Sequence, residues 1–427
     1  MFLVLCSKNE KNDALKQKKN TILYLSYDGM TDPLGQSQVL PYLKGLVSEG
    51  YQFHLISFEK AERFEKFRST IQAICDESGI VWHPLTYTKK PPLLSTVYDV
   101  QRMKRLAHQL HRKHSFSIVH CRSYIAALVG LGMKRKFGTK FLFDMRGFWA
   151  DERIDGGIWN LSNPVFKTVY NYFKRKEIEF FKEADHVISL TTKGKEEIES
   201  WKEFKGNPPK IEVIPCCADL DLFDPEKIDP FQIQEKRNEL MISENDKVLG
   251  YVGSIGTWYM LPEMLDCFKV LKEKDASYKF LFVTGENPNS ILKIAQEKSI
   301  DQQDIIITSC FHKEVPLYIS LFDVSVFFIR PTYSKKASSP TKQGEIMAMG
   351  VPLICNAGVG DTDKVVQDYK AGVVLNELNE ENYRNMPDST SVFDRDLTMK
   401  GARDFYGLEE GVQRYCKAYE KIQTNNS

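Results

Sequence analysis

Short apolar runs alternate with helix-like segments along nearly the whole chain, and this alternation limits the possible folds more than any other feature. Residues 21–26 and 51–58 are predicted strands, and residues 37–49 between them are a predicted helix that ends at Gly50. Strands that alternate with helices form βαβ units, in which the strands are parallel and helices make the crossovers. The alternation therefore predicts an α/β fold.

The same rhythm occurs in both halves of the chain. Further strands are predicted at residues 116–120, 141–143, 187–190, 210–215, 248–252, 278–284, 305–308, 324–329 and 351–355. A chain of 427 residues is too long for one ordinary core and suits two domains. We expect a leader at residues 1–20, domains at residues 21–215 and 216–406, and a closing helix and tail at residues 407–427.

Charge is distributed unevenly between the two halves. The net charge is only +1, but residues 1–210 hold 34 Lys and Arg against 23 Asp and Glu, and the remainder is correspondingly acidic. A basic first half suggests an anionic partner, either nucleic acid, a lipid headgroup or a phosphorylated substrate. No clustered aromatic residues or known nucleic-acid motif accompany the basic residues, so we expect no nucleic-acid partner.

The nine cysteines are scattered and include no Cys-x-x-Cys pair, which disfavours a disulfide framework or a zinc site. No segment approaches the ~20 apolar residues of a membrane span. Lysines follow the short apolar run at residues 2–6, an order opposite to that of a signal peptide. These features predict a cytoplasmic protein, which could rest peripherally on the inner face of the plasma membrane.

One stretch of the second half, residues 338–354, predicts a short helix with both ends marked. Ser339 is the expected N-cap and Pro340 the first helical residue. Gly350 is the expected stop, and an apolar strand follows it.

The first turn of this helix carries Lys342, although the positive end of a helix dipole disfavours a cation. Free backbone N–H groups, the Thr341 hydroxyl and the Lys342 ammonium would together suit a phosphate. Glu345 could accept hydrogen bonds from ligand hydroxyls. The alternative is a capped helix on which Lys342 and Glu345 form a weak surface pair.

Other polar residues follow predicted strands of the second half, at what should be one edge of a parallel sheet. Residues 253–259 hold two glycines and two hydroxyls before a helix and predict a phosphate cradle. Glu286 and Arg330 follow the next strands. Positive charge would come to one cleft from Arg330, Lys335, Lys336 and Lys342.

The first half offers a second set of candidates. The loop that ends at Gly35 and Gln36 could approach a pyrophosphate or sugar, but it lacks the G-x-G-x-x-G pattern of nicotinamide enzymes. Arg122 and residues 144–153 follow two predicted strands, and ligands of open α/β sheets bind at that edge.

Three further patterns have simpler interpretations. His108, His111 and His114 lie among cations with no carboxylate between them, which favours a solvated face over a metal site. The Asp-x-Asp pairs at residues 219–221 and 361–363 are expected to form turns or helix caps rather than bind metal. Residues 164–182 predict a basic amphipathic helix that could touch a membrane, although a core-packing helix with a wet face is the simpler alternative.

Several of these stretches resemble glycosyltransferase family four, of the type that builds bacterial surface polysaccharides. They are Gly35-Gln36, residues 213–223, residues 251–254, and residues 339–354 with Ser339-Pro340-Thr341-Lys342 and Glu345; Asp144-Met145-Arg146-Gly147-Phe148 also resembles that type. Together they extend over nearly the whole chain after residue 20. The resemblance implies two facing Rossmann-like domains, the fold called GT-B.

The resemblance also implies an activity. A sugar would pass from a nucleotide-diphosphate donor, bound mainly to the second domain, with retained anomeric configuration, to a glycan or polyprenyl-linked acceptor on the first. No metal or cofactor is then needed, because the nucleotide sugar is a substrate.

The resemblance and the strand ends together give the expected site residues. The donor set is Gly35, Gln36, Gly253, Ser254, Gly256, Thr257, Glu286, Ser339, Thr341, Lys342 and Glu345. Lys342, Arg330 and Glu345 are the expected catalytic residues, and the acceptor set is Arg122, Asp144, Arg146, Asp151 and Glu152.

The chain departs from the family pattern at three positions. Ala337 stands where the family has the first of two glutamates, and Ser254 stands where it has an arginine. Trp258 or Tyr259 stands near the place of the family's lysine. These departures leave open an alternative, a non-catalytic protein that binds a nucleotide sugar or acts as a scaffold.

Overall fold

The computed structural model of the chain describes residues 21–387 and 392–424. The predicted leader, residues 1–20, lies outside this described part. Within it, the strands form two parallel sheets with helices on their faces. This architecture confirms the predicted α/β fold with two Rossmann-like units.

The first sheet draws its strands from the first half of the chain. They are β1 (Thr21–Ser26), β2 (Gln52–Glu59), β3 (Val81–Thr86), β4 (Ile118–Arg122), β5 (Lys140–Asp144), β6 (His186–Ser189) and β7 (Ile211–Val213). Their order in space is β3-β2-β1-β4-β5-β6-β7. The chain reverses direction across the sheet between β1 and β4, which is the kind of position where such sheets bind ligands.

Helices connect these strands on both faces of the sheet. They are α1 (Pro33–Gln38), α2 (Leu40–Ser48), α3 (Ala61–Glu77), α4 (Leu94–His114), α5 (Ser123–Phe137), α6 (Trp149–Asp155), α7 (Pro164–Glu183) and α8 (Thr192–Ser200). A 3₁₀ turn spans Lys202–Phe204.

The second sheet repeats this plan. Its strands are β8 (Lys247–Val252), β9 (Tyr278–Val283), β10 (Ile305–Thr308), β11 (Val324–Phe327), β12 (Leu353–Asn356) and β13 (Gly372–Leu375). They lie in the order β10-β9-β8-β11-β12-β13. The exits of β8 and β11, which are neighbours, therefore meet at one edge of this sheet.

The helices of the second half complete the fold. They are α9 (Pro230–Glu239), α10 (Leu261–Lys274), α11 (Pro288–Glu297), α12 (Val315–Ile319), α13 (Thr341–Ala348), α14 (Thr362–Asp368), α15 (Glu380–Asn385), α16 (Arg395–Tyr406) and α17 (Leu408–Thr424). Short 3₁₀ segments span Pro225–Lys227, Gln302–Asp304, His312–Glu314 and Tyr333–Ala337. Among the described residues, no helix is both long and apolar enough to cross a bilayer.

The last helix returns to the first sheet. Tyr415, Tyr419 and Ile422 of α17 belong to the same buried cluster as Ile22 and Leu55 of β1 and β2. Because α17 covers the first sheet while α16 packs on α13 of the second half, the chain end ties the two halves together. We propose domain limits at residues 215 and 406, since β7 ends before the first limit and α17 begins after the second.

Candidate functional site

Lys342 is a buried lysine. The residue is 8% exposed, and its Nζ lies 3.9 Å from the ring centre of Tyr251 and 3.7 Å from that of Tyr259. Within residues 21–387 and 392–424, no group accepts a hydrogen bond from this Nζ. Burial lowers the pKa of Lys342 well below its usual value, and the charge of Glu345 offsets this only in part. An anion that reached the ammonium would supply the partner that the protein does not.

The helix that carries Lys342 begins one residue later than predicted. Thr341 opens α13, and Pro340 rather than Ser339 is its N-cap. The predicted cap at Ser339 is therefore wrong. Its Oγ instead accepts a hydrogen bond from the backbone N–H of Cys216 at 3.2 Å, so Ser339 ties the start of α13 to the interdomain connection.

Glu345 faces a histidine rather than Lys342. Its Oε1 lies 3.2 Å from Nε2 of His312, whose side chain is 51% exposed. The hydrogen bond and charge of Glu345 raise the pKa of His312. Because Lys342 and Glu345 are both only 8% exposed, the alternative of a weak surface pair between them is wrong.

The loop after β8 approaches the Lys342 ammonium. Gly253 has φ of +104°, and a Cβ there would lie 3.3 Å from the Lys342 Nζ. Ser254, Gly256 and Thr257 follow as exposed residues of the same loop. The predicted phosphate cradle and the predicted phosphate-binding lysine are thus brought together, although they are distant in sequence.

Arg330 and Glu286 follow β11 and β9, the two strands that flank β8. Arg330 is exposed, and its backbone N–H donates to the Trp258 carbonyl at 3.0 Å. Glu286 is half-buried, and its backbone N–H donates to the Thr284 hydroxyl at 3.2 Å. Both residues lie at the edge of the second sheet that the sequence analysis predicts for them.

In the first half, Gly35 lies inside α1 rather than in a loop. A Cβ there would come 2.3 Å from the Gly29 carbonyl oxygen, so only glycine permits this packing. The exposed Gln36 donates from Nε2 to the Thr31 carbonyl at 3.1 Å. Both residues therefore have a structural role in holding the loop after β1.

A buried glutamate that sequence analysis did not identify binds the backbone of the loop after β1. Glu59, 2% exposed at the end of β2, accepts hydrogen bonds from the backbone N–H groups of Met30 and Thr31 at 2.8 and 3.0 Å. The Ser57 hydroxyl also donates to it at 2.5 Å. A carboxylate that accepts several N–H and O–H groups fixes a loop in place.

Asp144 is fully buried and holds together a polar cluster under α17. Its Oδ2 accepts a hydrogen bond from the Tyr415 hydroxyl at 3.1 Å and lies 3.5 Å from Nε2 of His120. Arg146, in a left-handed conformation with φ of +57°, lies 3.8 Å away. Burial acts to raise the pKa of Asp144, but Arg146 and His120 outweigh it and the pKa falls below its usual value. The structure therefore gives Asp144 a structural role rather than a contact with an acceptor.

The other acceptor candidates separate into two groups. Asp151 accepts hydrogen bonds from Lys174 at 2.8 Å and from the Tyr170 hydroxyl at 2.9 Å, and so belongs to a cluster within the first domain. Arg122 is 4% exposed and lies 3.5 Å from Asp28, whose side chain is 49% exposed. Arg122 is thus itself buried, and it contacts the more exposed Asp28.

Glu152 crosses to the other domain. Its Oε1 accepts a hydrogen bond at 2.8 Å from Lys335, whose Nζ also lies 3.7 Å from the ring centre of Trp258. Trp258 in turn lies against α6, since a Cβ on Gly156 would be 3.0 Å from the indole. Residues of both domains therefore meet beside the loop that follows β8.

We call residues 332–338 the cross-domain segment, because several of its residues contact the first domain. The Thr191 hydroxyl donates to the Lys336 carbonyl at 2.6 Å, and Asp155 accepts from the Ser334 N–H at 3.0 Å. Ala337 is fully buried in the first domain's core, where a Cβ on Gly194 would lie 2.9 Å from its methyl group. The position that carries a glutamate in the family pattern is here a packing position.

The two Asp-x-Asp pairs have the structural roles expected of them. Asp219 accepts from the backbone N–H of Asp221 at 3.0 Å, which forms a turn. Asp361 accepts from the N–H groups of Thr192 and Lys193 at 2.6 and 3.1 Å, and Asp363 lies 2.7 Å from the Lys193 ammonium. The second pair caps α8 of the other domain rather than its own helix.

The sequence matches two family models that together extend over most of the chain. Glycosyltransferase Family 4 matches residues 36–222. Glycosyl transferases group 1 matches residues 232–385. The chain belongs to the family 4 type of GT-B glycosyltransferase.

Solved structures match the glycosyltransferase over nearly its full length. A glycosyltransferase from Rickettsia africae shares 16% identity with a TM-score of 0.68, and the match covers 95% of this chain and 99% of that one. Sucrose-phosphate synthase from Thermosynechococcus elongatus shares 14% with a TM-score of 0.70, covering 95% and 100%. Anabaena HepE in complex with UDP and glucose shares 12% with a TM-score of 0.65, covering 93% and 99%. No curated protein matches the sequence with significance.

Two residues of the glycosyltransferase site were missed by sequence reasoning. They are His312 and Tyr251, which contact Glu345 and Lys342. His312 follows β10, and this position at a strand exit was the available signal. Lys335 was expected beside the cleft, but its pairing with Glu152 was not. Tyr251 lies within β8, where a buried aromatic residue is indistinguishable from ordinary core.

Proposed function

We propose that the glycosyltransferase binds the diphosphate of a nucleotide sugar between Lys342 and the loop after β8. The observation that carries this proposal is the buried Lys342 ammonium, which has no hydrogen-bond acceptor among the described residues and lies against Gly253. The first turn of α13 adds backbone N–H groups with no partner inside the helix. The match to HepE, described with UDP and glucose, makes UDP the first nucleotide to test.

The same groups would then assist departure of the nucleotide. Breaking the bond between the sugar and the diphosphate builds negative charge on the diphosphate, and a positioned ammonium stabilises that charge as it develops. In this proposal Arg330, exposed at the exit of β11, supplies further positive charge. Glu345 accepts hydrogen bonds from the ribose hydroxyls.

We place the acceptor, a glycan or polyprenyl-linked glycan for cell-surface polysaccharide, on the first domain. Asp28 and Glu152 are the candidates with exposed carboxylates, at 49% and 28%. In a transfer with retention the acceptor hydroxyl attacks from the face that the diphosphate leaves, and the diphosphate takes the proton. Such a step requires neither a metal nor a strong enzymic base.

Thermal unfolding with UDP, GDP, ADP and CMP, each with and without EDTA, tests the donor site. A ligand at ~100 times its dissociation constant that binds only the folded state stabilises it by about 2.7 kcal/mol. We expect one nucleotide to raise the unfolding temperature regardless of EDTA, and to lose this effect in Lys342→Ala. A Lys293→Ala variant is a suitable control, because that lysine is 78% exposed on α11. No shift with any nucleotide would refute the site.

We further propose that α7 rests on an anionic membrane surface. Val165 and Tyr172 are 55% and 40% exposed on this helix, beside the exposed Lys167 and Arg175. Lys174 on the same helix pairs with Asp151 instead and is not part of this surface. Exposed apolar side chains flanked by cations suit the interface of an anionic bilayer.

Flotation with vesicles containing phosphatidylglycerol tests this contact. Lys167→Glu with Arg175→Glu should abolish flotation. Lys293→Glu with Lys364→Glu makes the same charge change on exposed lysines of the second half and should preserve it. Equal flotation of both double variants would exclude α7 as the contact.

A second candidate function, a non-catalytic nucleotide-sugar-binding protein, is favoured by one observation. Ala337 packs in the first domain's core, so no carboxylate at this position can contact a donor sugar. Release of free nucleotide from a nucleotide sugar, in the presence of acceptor, would exclude this candidate. Binding with no turnover for any sugar of the stabilising nucleotide would support it.

A further inference from the structure

We propose that Lys342 is neutral in the free protein and takes up a proton from solvent when the diphosphate binds. This inference rests on the proposed function, since it concerns the same site. It adds that donor binding is coupled to protonation of a single amine. The only bond formed is between one solvent proton and the lysine nitrogen, and no group leaves the nucleotide.

The free state gives the ammonium little support. Its residue is 8% exposed, and Tyr251 and Tyr259 contact it with ring faces rather than with charged oxygen. Cation–π contacts offset only part of the cost of removing an ammonium from water. The first turn of α13 adds the repulsion of the helix dipole.

The charged and titratable groups around Lys342 do not stabilise its protonated form enough to offset this burial. On its own helix, Glu345 is committed to His312 at 3.2 Å. Burial raises the pKa of Tyr251 on β8 and of Tyr259 in the following loop, so both phenols stay neutral around neutral pH. Glu286 also raises the pKa of Tyr251, and Cys216 and Glu345 also raise the pKa of Tyr259. Burial accordingly lowers the pKa of Lys342 itself.

Binding of the diphosphate would favour the protonated form of Lys342. A diphosphate beside Gly253 would place anionic oxygens against Nζ, and an opposite charge at that distance favours the protonated amine. The pKa of Lys342 therefore rises on binding, and the protein takes up a proton at any pH between the free and bound values. The ammonium is thus present when the leaving diphosphate gains charge.

Calorimetric titration with UDP, and with GDP in parallel, measures this proton directly. At about pH 8.5 the terminal phosphate, with a pKa near 6, is already deprotonated and adds no proton of its own. Titrations in Tris and in a buffer of low ionisation enthalpy should differ by the heat of about one buffer proton per nucleotide. In the same range the affinity should fall about tenfold for each unit rise in pH.

Two variants make the assignment specific. Lys342→Arg keeps a cation that stays protonated, so it should bind with no proton uptake. His312→Gln removes the other titratable base near the ribose site, and uptake should persist. Binding with equal heats in both buffers, or uptake lost only in His312→Gln, would overturn the inference while leaving the donor site standing. Absence of binding by UDP and GDP, together with no thermal shift from any of the four nucleotides, would overturn the donor site and this inference with it.

Discussion

The Lys335 ammonium lies 2.8 Å from the Glu152 carboxylate, and the two residues belong to opposite domains. The Lys335 side chain is only 7% exposed, whereas that of Glu152 is 28% exposed. The pair lies against Trp258, next to the loop that approaches Lys342. It therefore joins the two domains beside the proposed diphosphate site.

Removing one member of this pair should destabilise the protein. Glu152→Gln leaves the buried Lys335 ammonium with a weaker partner, and we expect a loss of about 1–3 kcal/mol in the free energy of unfolding. Urea unfolding measures it. Lys335→Met combined with Glu152→Gln should recover part of the loss, because the unpaired charge is then gone. Additive losses in the double variant would show that the pair is not coupled.

A second cross-domain contact gives a separate prediction. Asp361 is 4% exposed and accepts two backbone N–H groups at the start of α8. Asp361→Asn keeps one acceptor and loses the charge, which should cost about 1–2 kcal/mol of unfolding free energy. Asp368→Asn, at a pair where the carboxylate is 51% exposed, is the control and should cost less than about 0.5 kcal/mol. Equal costs would mean that Asp361 does not cap α8.

Most of the fold could be predicted because its signal is local. Apolar runs located β1, β8 and β10 to within a residue of their ends. β3 (Val81–Thr86) was missed because it contains Pro84, which an edge strand tolerates. β13 (Gly372–Leu375) was missed as well. The parallel direction of the strands also followed, since strands joined by helical crossovers are parallel.

The site was only partly predictable, for a related reason. Lys342 and Glu345 are neighbours on one helix, so helical spacing alone brought them together. Lys335 and Glu152 are 183 residues apart, and Asp361 and Thr192 are 169 apart. Such contacts depend on how two domains dock, and no local pattern encodes that. Asp144 is fully buried whereas Glu152 is partly exposed, and this difference likewise depends on how the whole molecule packs.

Restoring the family's glutamate should harm this chain. In Ala337→Glu, a carboxylate would enter the first domain's core at a position that is fully buried against Gly194. We expect a loss of about 3 kcal/mol or more, because a buried carboxylate without a partner is among the most destabilising changes. Ala337→Ser should be far milder. A folded Ala337→Glu protein with raised turnover would instead show that residue 337 can reach the donor sugar.

His312 should titrate above its usual range. Glu345 raises the pKa of His312, so the folded state binds this proton more tightly than the unfolded chain. The resulting stabilisation is fully present below the unfolded pKa of about 6.5 and is lost as the pH rises through the folded value. NMR titration of the imidazole should show a raised midpoint that returns toward about 6.5 in Glu345→Gln. An unchanged midpoint in that variant would remove Glu345 as the cause.

Gly253 provides the most direct test of the loop beside Lys342. Its φ of +104° is unfavourable for any residue with a side chain, and a Cβ would lie 3.3 Å from the Lys342 Nζ, in the space where we place the diphosphate. Gly253→Ala should therefore abolish the nucleotide-induced rise in unfolding temperature and cost about 1–3 kcal/mol of stability through backbone strain. Gly285→Ala, at the exit of β9, is the matched control, because a Cβ there meets no atom within 4 Å. The control should keep both the stability and the response to nucleotide. If Gly253→Ala kept the full response as well, the diphosphate could not lie against this loop, and Lys342 would need another anion to account for its burial.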